Sequence, residues 1–409
     1  MIFTKTYNKC LGRMFLSNKI RFIIITILTA ISTAIVGGFG SLAPRIRNTV
    51  GNVQTDYTTG TFDPVLDVAL GIERISYVFP IFFVIVTCLV VFMTITRLVE
   101  TEKPQIACLK TMGYTKMQIT GKYLLFTLVA SILGNTLGVI FGRFVVHNVI
   151  FNSVMVHFNL PEATPNPFSV YTLVVAIMTL LFAMLVTFAT SMHTARKNPT
   201  TLLGGGGPKQ GGKILLERIR PIWNFFPFRH KSTLRNIFRY RIRLFTTVFS
   251  MIFSTALVFA GIALYFGVAG INPQLLDTIR PITTIVVISA VFVNVLVIFN
   301  ITNINIDERK REIATLKVLG YRNVEVSGYI FREIFILTFF GVILGLPSGY
   351  YFMYFIFEFF DMPGAIDFVE WYSWIIVTVL SFSSLAIVNL LLFKKIHNTD
   401  MNGSLKTVD

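Results

Sequence analysis

Few residues in this chain have the types and spacings for covalent or phosphate chemistry, and each candidate fails a physical test. Gly207-Pro208-Lys209-Gln210-Gly211-Gly212-Lys213-Ile214 fits the GxxxxGK skeleton of a loop that wraps backbone amides around nucleotide phosphates. Such a loop needs a Ser or Thr after the lysine to hold magnesium, a buried strand before it and a helix after it. Here Ile214 replaces the hydroxyl and no apolar strand precedes the glycines. His147 and His157 are ten residues apart, without the regular spacing of a metal or haem pair, and read as loop histidines. Cys10, Cys88 and Cys108 form no CxxC pair and have no neighbouring His cluster, which gives no support to a disulfide framework or a zinc site. No paired intramembrane acid or Ser-His constellation appears. The chain is therefore expected to hold no catalytic residue, no metal and no cofactor, and any ATP-driven work requires a separate subunit.

A repeated lysine-bearing segment carries more information. Ile106-Ala107-Cys108-Leu109-Lys110-Thr111-Met112-Gly113-Tyr114 returns as Ile313-Ala314-Thr315-Leu316-Lys317-Val318-Leu319-Gly320-Tyr321, at an offset of 207. The same offset relates Gly121 to Gly328, Gly134 to Gly341, Leu137 to Leu344, Gly138 to Gly345 and Gly142 to Gly349. Each copy joins two long apolar runs, so the repeated unit is a membrane hairpin with an amphipathic crossbar. Ile313, Leu316, Val318 and Leu319 fall largely along one side of a short helix, Gly320 supplies its left-handed stop, and a polar side with Lys317 is left to face the cytoplasm. Retention of this segment within one chain whose spans have diverged points to a partner surface rather than a plain connector.

The elements that position these crossbars follow from composition. With 54% hydrophobic and 14% charged residues and a mean hydropathy of +0.70, 409 residues have too little polar surface for a water-soluble globule. Runs of about 20 apolar residues, enough to cross a hydrocarbon core as helices, occur near 21–43, 74–98, 122–145, 169–192, 244–268, 281–304, 331–355 and 372–393. The fold expected is an all-α integral membrane protein of eight transmembrane helices, arranged as two tandem four-helix repeats. With both termini cytoplasmic, only Arg45, Arg47, Arg74, Arg143 and Arg280 of the 36 Lys and Arg lie outside, which satisfies the positive-inside rule. The net charge of +16 is then a bias of the inner face and gives no support to nucleic-acid binding. The first run is too long for a signal-peptide core, and Lys19-Ile20-Arg21-Phe22 recurs before the fifth as Arg241-Ile242-Arg243-Leu244, at an offset of 222. The outer loops at 44–73 and 269–280 are both too short to be domains.

This reading divides the chain into an amphipathic cytoplasmic segment at 1–20, a first repeat at 21–193, a linker at 194–243, a second repeat at 244–395 and a tail at 396–409. The linker opens on a glycine tether, Gly204 to Gly207, and ends as a basic amphipathic helix suited to the anionic headgroup layer. Within the spans, Gly134, Gly138 and Gly142 share one helix face, as do Gly341, Gly345 and Gly349, a spacing that lets helices approach closely. Asn135, Asn294, Asn300 and Asn389 read as interhelical hydrogen-bonding residues, and no mid-span Asp, Glu or Lys suggests a proton relay. Outside, Glu358, Asp361, Asp367 and Glu370 flank a phenylalanine-rich stretch ahead of Trp371 and Trp374. The tryptophans suit the interfacial belt, and the acidic, aromatic mouth would suit a cationic amphipathic peptide.

The chain resembles the FtsX-like permeases of the type VII, or macrolide-exporter-like, ABC superfamily. The resemblance rests on the segments at 105–114 and 312–321, on Gly211-Gly212-Lys213-Ile214-Leu215-Leu216-Glu217-Arg218-Ile219, on Leu234-Arg235-Asn236-Ile237-Phe238-Arg239-Tyr240 and on Asp400-Met401-Asn402-Gly403-Ser404-Leu405-Lys406. The last two look like the large duplicated permeases of Gram-positive bacteria. It implies that each crossbar is a coupling helix docking in an ATPase groove, with Gln105, Ile106, Leu109, Lys110, Gly113 and Tyr114 in the first and Glu312, Ile313, Leu316, Lys317, Gly320 and Tyr321 in the second. It also implies a multi-pass location in the bacterial cytoplasmic membrane and a partner ATPase homodimer, one copy per crossbar, that holds ATP and Mg. Two departures stand out: Gln105 replaces the glutamate kept at Glu312, and the large extracytoplasmic domain common in the family is missing. The expected function is the permease subunit of an ATP-driven exporter or extractor of a hydrophobic or amphipathic substrate. The alternative is a mechanotransmitting or sensing permease that moves an outer partner and transports nothing.

Overall fold

The computed structural model describes residues 5–54, 63–149, 170–203, 231, 235, 241–271, 276–359 and 364–397. Among them the chain is helical throughout, with no strand. The first half comprises α1 (Lys5–Ser17), α2 (Lys19–Gln54), α3 (Asp63–Thr101), α4 (Lys103–Thr111), α5 (Lys116–Phe141), α6 (Val170–Arg196) and the short α7 (Pro199–Leu203). A π-helical turn, Gly142–His147, continues α5. The second half comprises α8 (Arg241–Ile271), α9 (Leu276–Glu308), α10 (Lys310–Val318), α11 (Asn323–Phe359), a 3-10 turn (Ala365–Phe368) and α12 (Trp371–His397).

Eight of these helices are long and apolar enough to cross a membrane, and each lies on one of the apolar runs seen in the sequence. Several helices outrun those runs. The helix α3 starts at Asp63, eleven residues ahead of the apolar run, and α2 continues to Gln54. Helical hydrogen bonding continues through polar residues once the span has paid the nucleation cost, so the apolar run locates lipid contact rather than the helix ends.

The duplication is visible in the packing. In each half the third span lies along the first, and its glycines meet equivalent residues. A Cβ on Gly138 would lie 2.5 Å from the Ala30 carbonyl oxygen and 2.8 Å from Thr33 Cβ. One on Gly345 would lie 3.0 Å from the Ile252 carbonyl oxygen and 2.8 Å from Thr255 Cβ. Ala30 and Thr33 map onto Ile252 and Thr255 by the offset of 222, while Gly138 maps onto Gly345 by 207. Gly142 against Ala34 repeats likewise as Gly349 against Ala256, and Gly134 against Thr29 as Gly341 against Met251. Absence of a side chain at three successive turns brings the two backbones into contact, which is how helices associate where no hydrophobic effect drives them together.

The halves join through their first two spans: α3 packs on α8, and α9 on α2. Ile24, Leu28, Ile35, Phe82, Phe83, Val90 and Met93 from the first half merge into one buried cluster with the core of the second, and the Phe82 and Phe352 rings stack with centroids 4.3 Å apart. Asn300 Nδ2 donates to Thr94 Oγ1 at 2.8 Å across this junction. Asn135, in contrast, works inside the first half, accepting from Thr33 Oγ1 at 2.8 Å and donating to the Ala176 carbonyl at 2.8 Å. The fourth spans α6 and α12 lie at the periphery, and their exposed Leu173, Ile177, Leu181, Leu185, Ile375, Val379 and Leu390 offer an apolar exterior.

Candidate functional site

The crossbars α4 and α10 lie at the same face of the molecule, each between the second and third spans of its half. Both stop in the same way. The Gly113 amide donates to the Lys110 carbonyl and the Tyr114 amide to the Leu109 carbonyl, each at 3.1 Å; Gly320 to Lys317 at 3.0 Å and Tyr321 to Leu316 at 3.1 Å repeat the pair. This double closure needs a left-handed residue after the helix, and Gly113 and Gly320 both have φ of 87°. Nothing lies within 4 Å of a Cβ placed on either glycine, so the cost of alanine there is conformational alone. Gly320→Ala is expected to destabilise the crossbar end by about 1–2 kcal/mol, seen as faster amide exchange over 316–321 without loss of membrane insertion.

The motif's glycine is thus explained by the turn; its lysine serves another helix. Lys317 Nζ donates to the carbonyls of Ile396 at 2.7 Å and His397 at 2.9 Å, at the last turn of α12. Lys110 Nζ donates to the Lys197 carbonyl, just past the end of α6. Carbonyls at a helix C-terminus lack intrahelical donors and carry the negative end of the helix dipole, so an ammonium group is a suitable cap. Desolvation moves the Lys317 amine below the ordinary lysine value.

The start of each crossbar is held by an ion pair to the third span, with the charges exchanged between halves. Glu102, ahead of α4, accepts from Lys122 Nζ at 2.8 Å, Tyr123 Oη at 3.0 Å and Asn18 Nδ2 at 3.1 Å. Arg309, ahead of α10, pairs with Glu333. All four charged residues are buried. Lys122 also reaches Gln105 Oε1 at 3.4 Å, which accounts for glutamine there: the carboxylate for this lysine is already supplied by Glu102. Glu312, the equivalent position in α10, is exposed.

At the same face the halves are tied by Arg97 Nη1 to Glu308 Oε1 at 3.4 Å. Lys395 joins α12 to α9 through Asp307 at 2.8 Å. The sequence reading missed Glu102, Lys122, Asp307, Arg309, Glu333 and Lys395. The repeat hides the crossbar pairs, because Glu102 maps onto Arg309 whereas Lys122 maps onto Tyr329 and Phe126 onto Glu333. Their one signal is a charge at the edge of an apolar run with an opposite charge beside the crossbar.

Ile106, Ala107 and Leu109 are buried in a cluster with Ala195 and Leu202; Ile313 and Ala314 are buried, and Leu316 packs on the main core. Val318 and Leu319, expected on the same side as Ile313, are exposed instead: Val318 lies about 140° round the helix from Ile313 at roughly 100° per residue, and Leu319 is already past the end of α10. Lys317 is half-buried, with its amine turned toward the end of α12. Exposed at each crossbar and the start of the third span after it are therefore Gln105, Cys108, Met112 and Met117 in the first half, and Glu312, Val318, Leu319, Tyr321 and Val324 in the second. Leu319 and Val324 are each 69% exposed, and Met112 and Met117 are 63% and 62%.

At the opposite face Glu358, Asp367, Glu370 and Trp371 are exposed, and Asp361 lies outside the described residues. Trp374 does not line that surface: it is half-buried against Phe259 and Tyr350, with ring centroids 5.4 and 5.8 Å away.

A bundle of eight apolar helices that carries one crossbar per half defines a multi-pass cell-membrane protein built by duplication. The FtsX-like permease C-terminal family matches it twice, over 77–199 and 284–401. The two matches include both crossbars and cover more than half the chain, which belongs to the FtsX-like permease family. The chain is therefore a permease subunit of ABC transporter type, a non-catalytic transmembrane component of a kind that works with an ABC ATPase. No curated protein and no solved structure gave a significant match.

Proposed function

We propose that this chain supplies both halves of the membrane unit of an ATP-driven exporter or extractor, with a separate cytoplasmic ATPase homodimer bound at the two crossbars. The crossbar face is cytoplasmic in this reading, which accords with the 31 basic residues that fall on that side of the chain. The observation that carries it is the pair of rigidly seated crossbars with apolar tips exposed on that face. Val318, Leu319, Tyr321 and Val324 stand among the charged Glu312, Arg322 and Glu325, an apolar centre with a polar rim as in protein interfaces. Closure of the ATPase on ATP moves the crossbars, and the spans carry that movement to the outer face. The substrate is hydrophobic or amphipathic: a peptide, an antimicrobial or a lipid-like molecule. The exposed Glu358, Asp367, Glu370 and Trp371 suit a cationic amphipathic peptide.

One observation favours a second reading. The junction between halves is filled by side chains, Phe82 and Phe83 included, which suits a mechanotransmitter that moves an outer partner without a substrate passing between the halves. Stimulation of ATP turnover by a candidate substrate, with no outer partner present, separates the two.

The docking surface is tested by Leu319→Asp combined with Met112→Asp, two outward-facing positions whose change leaves the packing intact. Co-purification with the ATPase and ATP turnover in the complex are both expected to fall at least tenfold, with membrane insertion unchanged. An intact, fully active complex would mean that the ATPase docks elsewhere.

A further inference from the structure

The two motif lysines occupy equivalent positions and make equivalent bonds, Lys110 to the end of α6 and Lys317 to the end of α12. The fourth spans lie at the edge of the bundle, each packed on the second and third spans of its half. Each crossbar reaches its third span through the buried ion pair at its start, and it follows its second span directly in sequence. The lysine completes the set by attaching the crossbar to the fourth span.

From this we infer that Lys110 and Lys317 are positioning residues, straps through which a displaced crossbar draws the fourth span of its own half along with it. The inference rests on the crossbars being the ATPase docking sites. Its chemistry is that of a charge-assisted hydrogen bond to carbonyls at the negative end of a helix dipole. The closing turn holds the backbone in place, because the carbonyl of the lysine accepts from Gly113 in one half and Gly320 in the other. The lysine's backbone is thereby fixed while its side chain spans the gap to the neighbouring helix. In the first half the strap is reinforced by Leu202 of α7, which is buried in the cluster that holds Ile106 and Leu109. Arginine would keep the charge and donor capacity at this position, whereas methionine keeps the length and loses both.

The test uses the full-length permease in complex with its ATPase in lipid nanodiscs, with two pairs of spin labels. In a background of Cys10→Ser and Cys88→Ser, labels on Cys108 and Thr315→Cys report the separation of the crossbars. In a cysteine-free background, labels on Leu173→Cys and Ile375→Cys, both exposed near the far ends of α6 and α12, report the fourth spans. Addition of ATP is expected to change both separations in the protein with its native lysines. In Lys110→Met plus Lys317→Met the fourth-span change per unit of crossbar change is expected to be lost, and Lys110→Arg plus Lys317→Arg restores it. A methionine variant whose fourth spans still follow its crossbars as in the native protein overturns the strap while leaving the docking reading intact. A native protein whose crossbars ignore ATP and the ATPase overturns the docking reading, and the strap with it. Should the methionine pair fail to fold, the two single variants are read the same way, each expected to lose half of the response; a full response in both overturns the proposal.

Discussion

Replacing Glu333 by glutamine is expected to destabilise the folded protein by about 3–5 kcal/mol, the cost of stranding a buried cation. Arg309 would be that cation: both partners are buried, with side chains 6% and 5% exposed. Glu102→Gln should act similarly on Lys122, whose side chain is 2% exposed, although Tyr123 and Asn18 also lose their charged acceptor there. The measurement is reversible unfolding in mild detergent micelles, followed by circular dichroism. Removing both charges is a sharper probe. A Glu333→Met, Arg309→Met protein should recover most of the loss, because an apolar pair needs no solvation, and buried ion pairs exchanged for packed apolar side chains are often neutral or better. Equal instability of the single and double variants would show that the pair is not the source of the effect.

The second large effect is expected at the glycine stripes. Gly138→Leu places a Cβ 2.5 Å from the Ala30 carbonyl oxygen and further atoms beyond it, between two helix backbones that cannot yield independently. Overpacking of this kind costs about 1–3 kcal/mol where side chains can shift; here the obstacle is backbone, so the expected value lies at or above the upper end. Gly345→Leu should match it against Ile252 and Thr255. Gly328 offers the control, since nothing lies within 4 Å of a Cβ there, and Gly328→Ala should be neutral or slightly stabilising through helix propensity. Resistance of detergent-solubilised protein to limited proteolysis would rank the three. Wild-type resistance in Gly138→Leu would mean that the first and third spans slide apart at little cost.

These two effects differ in how far the sequence foretold them. The glycine stripes are legible because close approach requires the same residue type in both halves, so the repeat preserves them at a fixed offset. The eight spans are legible for a similar reason: lipid imposes a length and an apolarity that few other environments ask for. The crossbars' left-handed stops could be read from Gly113 and Gly320. The ion pairs could not, since exchanging the signs of the charges and shifting one partner by a helical turn preserves the contact while erasing the repeat. The outward turn of Val318 and Leu319 was hidden as well. A helical wheel assigns faces only while the helix lasts, and α10 ends at Val318, so only Leu319 escapes it; Val318, about 140° from Ile313 at roughly 100° per residue, was placed on the wrong face. The lysine's tie to the fourth span was hidden because its partners are backbone carbonyls, which leave no trace in residue type.

The dependence of docking on outward rather than inward crossbar residues is what the functional account stands on. The most direct measurement is photo-cross-linking from a photoreactive side chain introduced at Leu319, and separately at Met112, in membranes that also contain the cognate ATPase. The account predicts covalent capture of the ATPase from both positions, with little from the inward-facing Leu109. Capture of lipid alone at both tips, with the ATPase present and bound to the membrane, would contradict it.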